Sequence, residues 1–478
     1  MKVIAFVVML LNCSMLNAQQ VTFTEHPITD AGQGNPGVFA ADFDGDGDND
    51  ILASVNSPGA LKWWRNEGDS PVMWTEFTIA NEPGFYVYAQ DINSDGHIDA
   101  LSTLTNGQVS YWKNSGENPP TWEKVTVATG FSSPHGIFAC DLDNDQDKDI
   151  LATSAGLGKI CWWEQDNDTW EQHEITNNFP YTQSVYAIDL NNDTHLDVIG
   201  ACGNGDEVAV WYNQGGDPVT WEKQVVSDDF DMAHWVYACD INDDGFNDIL
   251  GAAANDNEIS WWKNNGDDPV SWTKYTINNN FPCALTAFAA DLDNDDDLDV
   301  MATAWWTDDI AWWENSGTNP LSWTRHVIDS FNNGVWPIYA CDIDNDQAID
   351  IITGADVLTS GGSSAALTWW ENSLVISYED PSIYPNESGS LEAYPNPFKS
   401  STCITFSVPQ NGFTELNVYN VKGQKVRTLL QEDLIKNQYS VVWLGNDNFD
   451  KALCPGIYYN ILSINGDTIS AKKCLLIR

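Results

Sequence analysis

The stretch of this chain best equipped for chemistry is Asp42 to Asp50, DFDGDGDND, with aspartates at positions 1, 3, 5, 7 and 9 and glycines at positions 4 and 6. Carboxylates at every second residue repel one another unless a positive charge sits among them. So many oxygen ligands in one short loop suit a hard cation, Ca²⁺ above all. The stretch recurs six times. Asp91 opens DINSDGHID, Asp141 DLDNDQDKD, Asp189 DLNNDTHLD, Asp240 DINDDGFND, Asp291 DLDNDDDLD and Asp342 DIDNDQAID. The first aspartates lie 49, 50, 48, 51, 51 and 51 residues apart. A fixed period of this size marks a repeat architecture.

The elements that must hold these loops follow from aligning the seven copies. Three residues before the first Asp there is always an aromatic: Phe39, Tyr88, Phe138, Tyr186, Tyr237, Phe288 or Tyr339. The next residue is always Ala. This predicts a short strand running into the loop, with large and small residues on alternate faces. An apolar run such as DILAS follows and predicts a second strand. A WW-x-N segment (Trp63–Trp64 in the first copy, Trp369–Trp370 in the last) predicts a third. A turn rich in Asn, Gly, Asp and Pro precedes a fourth, which opens at Trp74, Trp122, Trp170, Trp221, Trp272 and Trp323. Four strands every 50 or so residues, without a helical period, predict propeller blades. The segment Phe23 to Ile28 supplies the missing seventh fourth strand. The expectation is an all-β, seven-bladed β-propeller closed by its N-terminal strand, which leaves no open edge.

The D-x-[DN]-x-[DN]-x-x-x-D loops resemble those of the FG-GAP/VCBS family of calcium-loop propellers, over roughly residues 21–374. The resemblance implies Ca²⁺ held by side chains at positions 1, 3, 5 and 9 and by the carbonyl at position 7. Carried over, loop 1 uses Asp42, Asp44, Asp46 and Asp50. Loop 2 uses Asp91, Asn93, Asp95 and Asp99, and loop 3 Asp141, Asp143, Asp145 and Asp149. Loop 4 uses Asp189, Asn191, Asp193 and Asp197, and loop 5 Asp240, Asn242, Asp244 and Asp248. Loop 6 uses Asp291, Asp293, Asp295 and Asp299, and loop 7 Asp342, Asp344, Asp346 and Asp350. Up to seven ions are expected. Position 6 is Gly in loops 1, 2 and 5, where a sharp turn is easy, and these are expected to be the best sites. It is Gln146, Thr194, Asp296 and Gln347 in the other four, which are expected to be weaker. A helix-loop-helix calcium site is excluded, because position 12 lacks its Glu and the flanks read as strands.

Charge and termini bound the rest. The net charge is −50. Residues 393–478 hold nine basic and six acidic residues, or +3, so residues 1–392 carry −53. Nucleic acid or an anionic membrane is not an expected partner for such a surface. Residues 1–18 read as a signal peptide cut after Ala18, and no later segment reads as a transmembrane span. Nine cysteines then remain, an odd number that implies no disulfide framework. Cys140, Cys239 and Cys341, each just before a loop, read as small buried residues on equivalent strands. The propeller is expected over 19–374 and a linker over 375–391. AYPNPF at Ala393, alternating strands, PGIYY at Pro455 and the ending KKCLLIR resemble the C-terminal sorting domain of the Bacteroidota type IX secretion system. That resemblance implies a small β-sandwich over 392–478, a secretion-machinery partner, and a product that is secreted or held at the outer-membrane surface.

A ligand site is expected where the repeat departs from itself. Of 23 tryptophans, 12 lie in WW segments, six open fourth strands, and Trp443 lies in the tail. Trp235, Trp305, Trp306 and Trp336 are left over. They are assigned to the loops between strands 4 and 1 or 2 and 3, on the face opposite the metal loops. Asp308 and Asp309 are neighbours there, and an insertion from Gly354 to Ala366 lengthens the same rim. The residue six before the first Asp varies as Pro36, Phe85, His135, Gln183, His234, Leu285 and Trp336. His135, His234, Trp235, Trp305, Trp306 and Trp336 are therefore the candidate ligand residues, for an extracellular glycan or protein. No nucleophile elbow, phosphate loop or HExxH motif is present. The expected function is that of a monomeric, calcium-stabilised binding or adhesion module. The alternative is a calcium-dependent polysaccharide lyase, or other carbohydrate-active enzyme, using the two histidines.

Overall fold

The computed structural model describes residues 21–29, 37–55, 59–68, 71–166, 169–318, 320–330, 334–355, 367–374, 391–394, 396, 402–420, 424–446, 448, 451, 453, 456–465 and 467–476. The expected signal peptide, Pro36, Pro455, most of the Gly354–Ala366 insertion and nearly all of the expected linker lie outside these residues. Two compact units divide at Ile376 and Ser377. The described residues are all-β and contain no helix.

In the first unit, seven four-stranded antiparallel sheets repeat in a propeller-like arrangement. The innermost strands are Val38–Ala41, Gly84–Gln90, Pro134–Cys140, Thr182–Ile188, Ala233–Cys239, Ala284–Ala290 and Val335–Cys341. Trp235 and Trp336 thus sit on inner strands, not in the loops to which the sequence assigned them. Second strands such as Asp50–Val55 and Asp248–Ala253 are buried at every residue. Their unbroken apolar runs are what a strand covered on both faces requires. The third strands carry the WW pairs into the core. The fourth strands are half exposed, as Trp272–Asn278 illustrates. The strand Phe23–Thr29 pairs antiparallel with Leu367–Asn372 and completes the four-stranded sheet begun by Val335–Cys341.

Apolar clusters form between neighbouring sheets. Leu250 and Trp261 of repeat 5 pack with Ala287, Val300 and Trp313 of repeat 6. Ile51 and Trp64 of repeat 1 pack in the same way with Ile343, Ile352 and Trp369 of repeat 7. The aromatic three before each loop faces the axis. Phe39, Tyr88, Phe138, Tyr186, Tyr237, Phe288 and Tyr339 touch in sequence, and Tyr339 touches Phe39, with centroids 4.3–5.4 Å apart. That spacing is too close for rings lying side by side in one wall. The rings are tilted 31–57° from one to the next. They therefore stack as a fan, with edges toward the axis.

The second unit has two sheets around one core. Leu391–Tyr394, Thr402–Val408 and Asn437–Trp443 form one. Lys425–Leu434, Gly412–Asn420, Gly456–Ile464 and Asp467–Leu476 form the other, in that spatial order. Phe406, Leu416, Trp443 and Leu462 are buried between them. Cys140, Cys161, Cys202, Cys239, Cys283, Cys341 and Cys474 are free thiols.

Large buried rings dominate this packing. Trp262→Ala is expected to cost about 3–5 kcal/mol, read as a lower urea midpoint. Tyr186→Phe keeps the ring in the axial fan and is expected to cost under about 1 kcal/mol, less than one typical hydrogen bond. Equal midpoints for Trp262→Ala and wild type would contradict the packing described.

Candidate metal loops and the channel mouth

Each acidic loop has the same backbone path. Positions 4 and 6 are left-handed in all seven, including Asn144, Asn192 and Asn345 at position 4 and Gln146, Thr194, Asp296 and Gln347 at position 6. Two left-handed residues curl the chain around the carboxylate at position 1. That carboxylate accepts the N–H of position 5 at 3.0–3.2 Å and of position 6 at 2.7–3.1 Å. The position 5 carboxylate accepts the N–H of position 7. The position 7 side chain covers the turn between strands 3 and 4, as His97 does Gly116 and Phe246 does Gly266. Metal loops and these turns therefore share one face.

Position 9 is different. Asp50, Asp99, Asp149, Asp197, Asp248, Asp299 and Asp350 are all buried. One oxygen accepts the loop's own position 2 N–H at 2.8–3.2 Å. The other accepts a backbone N–H at the end of the third strand at 2.7–3.1 Å. Burial pushes the Asp50, Asp149, Asp299 and Asp350 carboxyls up to about 8, against the pull of these two bonds. Asp143 and Asp344 at position 3 rise to about 6 through burial and then their neighbours' charges. Positive charge is sparse beside these carboxylates: in loop 5 Lys263 pairs with Asp244. Arg65, the nearest cation to Asp44, stands 4.0 Å away.

The residues fit a cation. Both oxygens of Asp44 and one of Asp293 are buried without a hydrogen-bond partner. Ligand atoms of Asp42, Asp44 and Asp50 lie within 4.8 Å of one another, as do those of Asp141, Asp143 and Asp149, of Asp291, Asp293 and Asp295, and of Asp342, Asp344 and Asp350. These are loops 1, 3, 6 and 7. Loops 2, 4 and 5 have Asn at position 3 and share the backbone path.

The opposite face joins the 4–1 loops to the 2–3 turns. Phe131, Phe179, Phe230 and Phe281 donate their N–H to a 2–3 turn carbonyl and set their rings edge-on to Trp163, Trp211, Trp262 and Trp313. The sequence reading missed these phenylalanines, although they recur at a constant offset before the loops.

The candidate ligand residues are placed unequally. His135 is buried, stacked on Phe85, and burial lowers its pKa. His234 is buried, donates Nδ1–H to the Leu285 carbonyl at 2.7 Å, and burial pushes its pKa down to about 4. Neither imidazole reaches the open channel face assigned from sequence. Trp336 donates Nε1–H to the Tyr86 hydroxyl at 3.3 Å, and Trp235 lies against the same ring. Repeats 2, 5 and 7 thus touch across the mouth, above a cavity of about 90 Å³. Trp305 stands edge-on to Trp336 in a cluster with Met232 and Leu285. Trp306 alone among the six is open, at 65% exposure. Asp308 holds the Gly334 N–H, and Asp309 pairs with Arg325, so both acids brace the rim.

Two measurements probe this geometry. A Cβ at Gly47 meets nothing within 4 Å, so only its positive φ penalises a side chain there. Gly47→Thr is expected to cost about 1–2 kcal/mol, and Thr194→Gly to gain up to about 1 kcal/mol. Identical urea midpoints would mean position 6 is unstrained. His234 has a folded pKa below its ordinary 6.5, so its contribution to stability is present above pH 6.5 and is lost as pH falls toward 4. Over that window wild type is expected to lose about 3 kcal/mol more than His234→Gln. Parallel pH profiles would place His234 in contact with water.

Comparison with known proteins agrees with these elements. The FG-GAP-like repeat matches residues 42–102, 91–152, 141–200, 189–251 and 240–302, which together span 42–302, more than half of the 478 residues. A secretion system C-terminal sorting domain matches residues 392–477 and indicates export through the type IX system to the cell surface or extracellular space. No curated protein matches the sequence. Among solved structures, BBS1N in complex with ARL6DN, soaked with mercury, is similar at 9% identity and TM-score 0.49, covering 73% of this chain and 95% of that one. PorZ, a surface component of the type IX secretion system of Porphyromonas gingivalis, is similar at 11% identity and TM-score 0.43, covering 90% of this chain and 58% of that one. By its repeats the chain belongs to the FG-GAP-like family, and it carries a secretion-system sorting domain at its C-terminus.

Proposed function

We propose that the first unit is a closed, seven-bladed, calcium-stabilised propeller that acts outside the cell as a binding or adhesion module. Pairing of the N-terminal strand with Leu367–Asn372 and the unbroken run of seven axial rings support closure. Ca²⁺ is the cation favoured by an all-oxygen donor set of carboxylates, carboxamides and a carbonyl. Bound in the loops, it supplies the positive charge that the buried carboxylates lack. Its role is then structural, and metal binding adds to folding stability.

The ligand reading rests on one observation: Trp306 presents an open indole on the rim, beside tryptophans that are already packed. A rigid exposed ring on a braced lip suits stacking on a sugar or filling a protein pocket. Trp235 and Trp336 meet Tyr86 across the channel, and Trp305 packs on Trp336, so a ligand would lie across the mouth rather than enter the axis. Burial of His135 and His234 leaves the lyase alternative without an accessible base. The sorting domain would deliver the module to the surface or medium after the signal peptide is removed.

Chelation with EDTA is expected to lower Tm, and calcium to restore it. Each site held at a hundredfold excess over its Kd contributes about 2.7 kcal/mol, so an unchanged Tm would sink the metal reading. On a glycan array and against extracellular proteins, Trp306→Ala is expected to weaken binding about tenfold or more, equivalent to about 1.4 kcal/mol. Equal signals from wild type and variant would remove the rim site. A rise in absorbance from uronate-containing polysaccharides would instead restore the lyase.

A further inference from the structure

The residue ending each third strand does more than close the WW-x-N segment. In repeat 4, the Asn213 backbone N–H donates to Asp197 at position 9 of its own loop, at 2.9 Å. Its side-chain Nδ2 donates to the carbonyl of Leu142, position 2 of the preceding repeat's loop, at 2.8 Å. Its Oδ1 accepts the N–H of Gly215 in the 3–4 turn. One buried side chain thus touches two acidic loops and a turn.

The bond to the preceding loop recurs in every repeat. Asn114 reaches Phe43, Gln165 reaches Ile92, Asn264 reaches Leu190, Asn315 reaches Ile241 and Asn372 reaches Leu292, while Asn66 reaches Ile343 and so joins repeat 1 to repeat 7. The position 2 residue whose C=O receives this bond also gives its own N–H to the position 9 aspartate. The bonds therefore run without a break: carboxamide to position 2 carbonyl, position 2 N–H to position 9 carboxylate, and that carboxylate to the next backbone N–H in its own repeat. Three such bonds per repeat, in seven repeats, make a continuous circuit. Its longest members lie at Gln165, 3.3 Å from Ile92, and Asn315, 3.4 Å from Ile241.

We infer that these carboxamides are positioning residues that couple each cation loop to the loop of the preceding repeat, so that the loops order as a linked array and not as seven independent sites. The inference rests on the calcium reading above. A cation drawn to position 9 draws on the carboxylate at the centre of the circuit and fixes the position 2 residue. The neighbour's carboxamide is bonded to that residue's C=O. Carboxamide is the group this task needs. It donates to a carbonyl, accepts from the turn, and adds no charge to an already acidic interior. The link is geometric: a shift of the Leu142 carbonyl moves the Asn213 side chain, whose own backbone N–H is held by Asp197.

The test is amide hydrogen exchange on the full chain, read at Leu142 in loop 3 and Leu190 in loop 4, with Ile343 in loop 7 as the distant reference. Calcium is expected to protect Leu142 and Leu190 in wild type. Asp143→Ala, which removes a loop 3 ligand outside the circuit, is expected to speed exchange at Leu142 and, at least twofold, at Leu190, with less effect at Ile343. In an Asn213→Ala background the same substitution is expected to leave Leu190 unchanged, and Asn213→Gln, the residue type already at 165, to restore part of the effect. Leu190 indifferent to Asp143→Ala overturns the coupling alone. So does an equal response with and without the Asn213 carboxamide. Failure of calcium to protect Leu142 in wild type overturns the cation reading and the coupling together. If Asn213→Ala does not fold, the comparison of Asp143→Ala at Leu190 and Ile343 still decides.

Discussion

Seven buried carboxylates at the heads of the second strands are the constraint on which the rest depends. Burying an unpaired carboxylate is costly, and each here is held by two backbone N–H donors. One donor comes from the acidic loop and the other from the third strand. The aspartate therefore fixes where the loop ends, where the third strand ends, and how far apart they stand. Its burial raises the proton affinity that a nearby cation opposes. Fold and metal chemistry meet in this one side chain, which explains why no copy replaces it.

From that anchor the rest of the repeat follows. The second strand leaves the aspartate into a core covered on both faces. The loop curls back through two left-handed residues to offer its remaining oxygens to a common centre. The first strand enters the loop with an aromatic ring on the axis and an alanine against the neighbouring sheet. The carboxamide ending the third strand then reaches the preceding loop. Sheet packing alone leaves successive repeats free to adjust by sliding apolar faces; a directed hydrogen bond at a fixed point sets their register.

Most of this was legible because seven copies act as controls on one another. Strand order, the WW positions, the fourth-strand tryptophans and the acidic loops all follow from what recurs. The left-handed position 4 was also readable, since its residues (Gly45, Ser94, Asn144, Asn192, Asp243, Asn294 and Asn345) are mostly types that tolerate positive φ. The candidate ligand residues were harder, and a register break shows why. Six of the seven inner strands break register between seven and four residues before the loop, so the alternation read from sequence does not extend to the residue six before it. His135, His234 and Trp336 vary for reasons of packing between particular neighbours. Variation alone could not separate a packing change from an exposed one. The carboxamide was visible in six copies of seven, yet its partner lies some 70 residues away in the preceding repeat, and no local rule points there.

The two faces divide the work because their constraints differ. On the acidic-loop face the carboxylates at positions 1 and 5 hold the curl, the position 9 carboxylate ties loop to third strand, and side chains such as His97 and Phe246 cover the adjoining turn. On the mouth face the backbone does the joining: phenylalanine N–H groups meet 2–3 turn carbonyls, and those bonds survive any side-chain substitution. Side chains at the turn tips are therefore free to differ, and Trp305 and Trp306 show the two uses of that freedom. Trp305 turns inward to close gaps around Trp336. Trp306, one residue on, turns outward with nothing in the fold to hold it. A large apolar ring left in water gains from whatever covers it.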